Sequence, residues 1–112
     1  MSWVMAAGYF IMSNIKTANI QITPQQGVLL LNLARKSIGE YLRTRHQLQP
    51  SHEGIDAPLL EWKACFVTLL LHGELRGCIG SLEPRESLLD NVAHNAVSAA
   101  FSDPRFSPVT AD

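Results

Sequence analysis

The 112-residue sequence predicts an α+β domain, an antiparallel sheet with helices packed on it. Three observations predict it. Two segments, 24–45 and 86–101, repeat their apolar residues at spacings of three and four, the period of a helix with one buried face. Between them, KACFVTLLL (63–71) and LRGCIGSL (75–82) read as strands around a short break with glycine at its centre, a hairpin signal. The balance of 46% hydrophobic and 17% charged residues is that of a globular chain.

Taken in order, residues 1–12 carry no charged side chain. They are too few to span a bilayer and lack the basic region of a secretory signal. They are expected to be an apolar N-terminal extension, from an upstream start or as a frayed tail, with an ordinary cytosolic chain beginning at Met12. Residues 13–112 then form the domain. Thr23-Pro24 starts the first helix, with Thr as N-cap and Pro at the first helical position. Its buried face is expected at Val28, Leu31, Ile38 and Leu42, joined by Leu30, Ala34 and Tyr41. Lys36–Glu40 and Glu40–Arg43 decorate the solvated side. Residues 46–58 have no periodicity and read as a connector, with His46 and His52 at its surface. The second helix buries Leu89, Val92, Ala93, Ala96, Ala99 and Ala100, four small residues that let a sheet approach. Asn91, His94, Asn95 and Ser98 are expected away from that stripe. Ser102-Asp103-Pro104-Arg105-Phe106 is a turn. Two strands alone do not make a stable sheet. Further strands must come from residues 14–22 and a partner chain, or the domain is incomplete at its C-terminus.

Composition narrows the function. A net charge of −1, with nine scattered Lys and Arg, argues against a nucleic-acid or membrane surface. Cys65 and Cys78 belong to no CxxC and to no Cys/His set with zinc spacing. They read as free thiols in a reducing cytosol. No glycine-rich phosphate loop and no GxSxG occurs. No metal or cofactor is called for.

The chemistry, if any, centres on LRGCIG. On a strand, Arg76, Cys78 and Gly80 share one face, and Leu75, Gly77 and Ile79 the other. Glycine inside a strand marks a bulge or a close approach by backbone or ligand. An arginine on the face of a thiol favours the thiolate, the form that attacks electrophiles. The plainer reading makes Cys78 a small buried hydrophobe. Gly77 and Gly80 then make room for the alanine-rich helix, and Arg76 pairs with Glu74 or Glu83. His94 has Asp90 four residues before it, the arrangement that orients a general base and also a common surface pair. Arg105, in the DPRF turn, could meet an anion.

ELRGCIGSLEP followed by NVAHNAVSAAFSDPRFSPVT resembles the AMMECR family, whose bacterial and archaeal members are called AmmeMemoRadiSam system protein A. GVLLLNLARKSIGEYL and CFVTLLLHGELRGCIG are similar to that family in order and spacing, and the likeness runs over residues 23–112. KACFVTLLL departs from it, since relatives more often carry a glycine before Phe-Val-Thr. The resemblance implies an α+β domain with a cleft beside the LRGCIG strand, and members that continue into further strands beyond the position of Asp112. It implies a pathway shared with Memo-type proteins, similar to metal-dependent dioxygenases, and with radical-SAM proteins. The motif positions carried over are Leu75, Arg76, Gly77, Cys78, Ile79 and Gly80, with Asp103, Arg105 and Phe106.

Two functions are expected to compete. In the first, a cytoplasmic cleft enzyme or accessory uses Cys78 as nucleophile or redox thiol. Arg76 holds an anionic substrate group, and Gly77, Gly80, Asp103 and Arg105 line the substrate site. In the second, a non-catalytic module recruits a protein and LRGCIG is packing. An open sheet edge would also allow self-association.

Overall fold

The computed structural model describes residues 4–11, 22–71, 74–80 and 83–109. The elements are β1 (Val4–Ile11), α1 (Pro24–Thr44), α2 (Ala57–Leu60), β2 (Phe66–Leu71), β3 (Glu74–Gly80) and α3 (Leu88–Phe101). The α+β class and the antiparallel sheet are as predicted. Residues 14–21, the hairpin break at His72 and Gly73, and the end of the strand at Ser81 and Leu82 lie outside the described residues.

The first turn of α1 forms a complete capping box. Thr23 Oγ1 accepts from the Gln26 amide at 3.1 Å, and Gln26 Oε1 accepts from the Thr23 amide at 3.0 Å. At the other end Arg45 adopts φ 63°, and its amide donates to the Tyr41 carbonyl. Its guanidinium lies over Tyr41 and Phe101 at 5.8 and 6.0 Å. Cation–π attraction there offsets part of the cost of a left-handed non-glycine residue.

The buried face of α1 is Leu30, Ala34, Ser37 and Ile38. Val28, expected inside, is 57% exposed. A polar residue carries the stripe instead, because Ser37 Oγ donates to the Leu33 carbonyl at 2.8 Å and so leaves no donor unpaired in the core.

The sheet order is β1-β2-β3, all antiparallel. Where a frayed tail was expected, Val4–Ile11 pairs with β2, Val4 opposite Leu70 and Ile11 opposite Phe66, with a register shift between Met5 and Phe10. β2 is shorter than expected at its start. Residues 63–65 lie outside the strand; the Lys63 and Cys65 carbonyls go to α3. Asn91 Nδ2 donates to the Lys63 carbonyl at 2.8 Å, and Asn95 Nδ2 to that of Cys65 at 3.1 Å and to Asn91 Oδ1 at 2.8 Å. Asn91, placed on the outer side of the helix by its polarity, is therefore buried.

Val67 and Leu69 alternate on the face of β2 that meets α3, with Cys65 buried just before the strand, and Leu88, Leu89, Val92, Ala96, Ala99 and Ala100 complete the core. All four alanines of the predicted stripe are buried. α1 packs across α3 and reaches β1. Each fully buried Leu or Val contributes roughly 1.5–3 kcal/mol.

Candidate functional site

Gly77 stands opposite Leu69 and faces α3. A Cβ there would collide with the Ala99 carbonyl oxygen, so glycine is what lets β3 lie against the helix. A Cβ on Gly80 would collide with the Cys65 carbonyl oxygen and with the Phe66 ring, which lies across Gly80 from the neighbouring strand. Both glycines are close-approach positions.

Alternation then turns Cys78 to the other face, while the register shift between Leu69 and Leu70, where β3 passes from Gly77 to Leu75, makes Arg76 the extra residue of a bulge. Cys78 is half-buried and lies opposite Thr68. The Cys78 amide points outward, to Asp103 Oδ2 at 3.0 Å, so Thr68 and Cys78 form the pair type in which side chains sit closest. Thr68 Oγ1 donates to Cys78 Sγ at 3.1 Å.

Asp103 is the hub on the outer edge of β3. It is buried, and it accepts from Arg105 Nη2 at 2.7 Å, Arg105 Nε at 3.0 Å and the Arg105 amide at 3.0 Å, besides the Cys78 amide. The Arg105 guanidinium, first, and the two backbone amides hold its carboxyl well below the usual carboxylate range, against the opposing effect of burial. The same pairing raises Arg105 above its ordinary value. Arg105 Nη2 also reaches the Cys78 carbonyl at 3.5 Å. Both backbone groups of Cys78 thus meet the DPRF turn, where a further strand would otherwise sit.

Arg76 was expected to pair with Glu74 or Glu83, or to hold a substrate anion. Its Nη1 and Nη2 donate to the carbonyls of Ser107 and Pro108, at 2.5 and 3.4 Å. Val109 adds an amide bond to the Ala100 carbonyl at 2.8 Å. Residues 103–109 are thereby clasped to β3 and to the end of α3.

Of the predicted site residues, the structure brings Cys78, Arg76, Asp103 and Arg105 to one edge, with Gly77 and Gly80 inside the packing of the same strand. His94 meets Glu86 at 2.9 Å rather than Asp90, which pairs with His52 at 3.0 Å. Cys65 is fully buried, and burial pushes its thiol up to about 12 against the lowering effect of the Asn95 hydrogen bond. Thr68 was missed by sequence reasoning; its position opposite Cys78 follows only from the hairpin register. Among the described residues no group of three or more His, Cys, Asp or Glu is placed to hold a metal ion. No described helix is long and apolar enough to cross a membrane.

The profile of the AMMECR1 family matches residues 31–112, which include β2, β3, α3 and the clasp. The chain belongs to the AMMECR1 family. An AMMECR1 relative from Thermofilum pendens is 36% identical over 102 residues, covering 80% of this chain and 46% of that protein. Another, from Methanothermobacter thermautotrophicus, is 40% identical over 88 residues, covering 79% and 45%. The crystal structure of the uncharacterized protein PH0010 from Pyrococcus horikoshii matches with a TM-score of 0.74 and 36% identity, over 80% of this chain and 46% of that one. The chain spans about half the length of the curated AMMECR1 relatives it matches.

Proposed function

We propose that this AMMECR1 chain is a non-catalytic protein-binding module in which LRGCIG is structural packing. One observation carries the reading: the charged groups beside Cys78 are committed to the chain itself. Arg76 holds two backbone carbonyls, and Asp103 holds Arg105 and the Cys78 amide. Each guanidinium spends only part of its donors on these bonds, so a substrate anion at either one would compete with the clasp rather than find a cation reserved for it. The family resemblance supports Memo-type and radical-SAM proteins as the partners, in the cytoplasm. The sheet edge proposed for self-association is that of β1, since the 103–108 segment caps β3 at Cys78.

The test is a Cys78→Ser variant, assayed for urea stability and for binding to a purified Memo-type protein. Lost stability with retained binding supports the module. Retained stability with loss of a pathway activity contradicts it.

One contact favours a second reading, a thiol site. The Thr68 hydroxyl donates to a Cys78 sulfur that is only half-buried. In that reading Cys78 is the nucleophile, and Gly77 and Gly80 act by holding its strand against α3 and against Phe66. A covalent adduct on Cys78 that forms faster in the folded chain than in urea would carry it.

A further inference from the structure

A second feature lies away from the clasp. α1 presents Leu29, Leu33 and Lys36 on one side, and the connector after the helix runs opposite them with Leu48 and Ile55. Between the two is an open groove of about 450 Å³ whose floor is Leu89 of α3. That volume falls in the range of small-molecule sites.

The connector beside the groove is tied to the rest of the chain at two points. On one side of it His52 pairs with Asp90 at 3.0 Å, which ties the connector to α3. On the other, Asp56 accepts from Gln26 Nε2 at 3.0 Å, which ties it to the capping box of α1. The Ile55 amide donates to the His52 carbonyl at 3.3 Å and bends the segment between the two ties. These contacts anchor the connector to α3 and to the start of α1 beside the groove. Leu29 is 38% exposed, and Leu33 and Ile55 are only partly buried against the core, so their open sides are the surface that an apolar guest would cover.

The polar part of the lining sets the sign of that guest. Lys36 is the one charged residue of the lining, and it makes no ion pair with a described residue. It is exposed at the rim, with the apolar wall beside it. We propose that this groove binds a small amphipathic monoanion, its apolar part against Leu29, Leu33, Leu48, Ile55 and Leu89 and its anionic head at Lys36.

The experiment titrates the full 112-residue chain with decanoate and, separately, with decyltrimethylammonium, both below their micelle concentrations. Methyl chemical shifts of the five apolar residues report the site. Saturable decanoate shifts confined to those methyls are the expected result. Lys36→Glu is expected to weaken decanoate by about two- to fivefold, the scale of one exposed charge contact, and to strengthen decyltrimethylammonium. Lys36→Gln, which keeps the stem and removes the charge, is expected to weaken decanoate alone, and it carries the test if the glutamate variant does not fold. Shifts that never saturate, shifts that map elsewhere, or equal affinities for decanoate in the wild type and both variants would overturn the proposal.

Discussion

Asp103 takes four hydrogen bonds, one from the Cys78 amide and three from Arg105. A buried carboxylate with that many donors is stable only while it is charged. Asp103→Asn is expected to cost roughly 1.5–3 kcal/mol in urea unfolding, the range for a hydrogen bond to a charged group. The pH dependence has a definite sign. In the unfolded chain the carboxyl titrates near the ordinary value of about 3.9, and in the fold it titrates lower. The unfolded chain therefore binds the extra proton first. The contribution is complete above about 3.9 and is lost as pH falls through the folded value. Acid titration of stability should show this loss in the wild type and lack it in Asp103→Asn. At this scale the sequence was partly legible. Asp103 and Arg105 stood out in the turn motif, but their link to Cys78 crosses 25 residues and depends on which way the strand's amide points. The partner of His94 was misplaced because Glu86 lies eight residues before it, ahead of the Ser87 cap of α3 and beyond the four-residue spacing that side-chain pairing rules use.

Elements were read well where periodicity and caps agree. Thr23-Pro24 marked the start of α1, and the capping box bears it out. Thr23→Ala is expected to lower stability by about 1 kcal/mol, measured by thermal or urea unfolding. The hairpin and the alanine stripe of α3 were equally legible, since each rests on local pattern. Glycine identity in β3 makes a sharper prediction. Gly77→Ala drives a methyl group into the Ala99 backbone, which cannot rotate away, and should cost at least roughly 1–3 kcal/mol. A Gly27→Ala control on α1, where a Cβ meets nothing, should leave stability unchanged or slightly raised. The shortened start of β2 was not legible. Asn91 and Asn95 read as surface residues by polarity, yet they supply the hydrogen bonds that the ladder lacks at residues 63 and 65. Removing Asn91 as Asn91→Ala leaves the Lys63 carbonyl without that donor. A loss of roughly 1–3 kcal/mol is expected from the same unfolding measurement.

Across the whole molecule, the sheet, α3 and α1 are joined by one core, and residues 103–109 close the free edge of β3. The AMMECR1 relatives are about twice as long as this chain. The central claim is that LRGCIG is held as packing. The most direct test is residue-resolved alkylation of Cys78 and Cys65 against pH, in buffer and in urea. The clasp predicts that Cys78 reacts more slowly in buffer than in urea throughout the range. It also predicts that Cys65, buried and with its thiol pushed up to about 12, stays the more protected of the two. A Cys78 that reacts faster in buffer than in urea at neutral pH would contradict the claim and restore the thiol as a functional group.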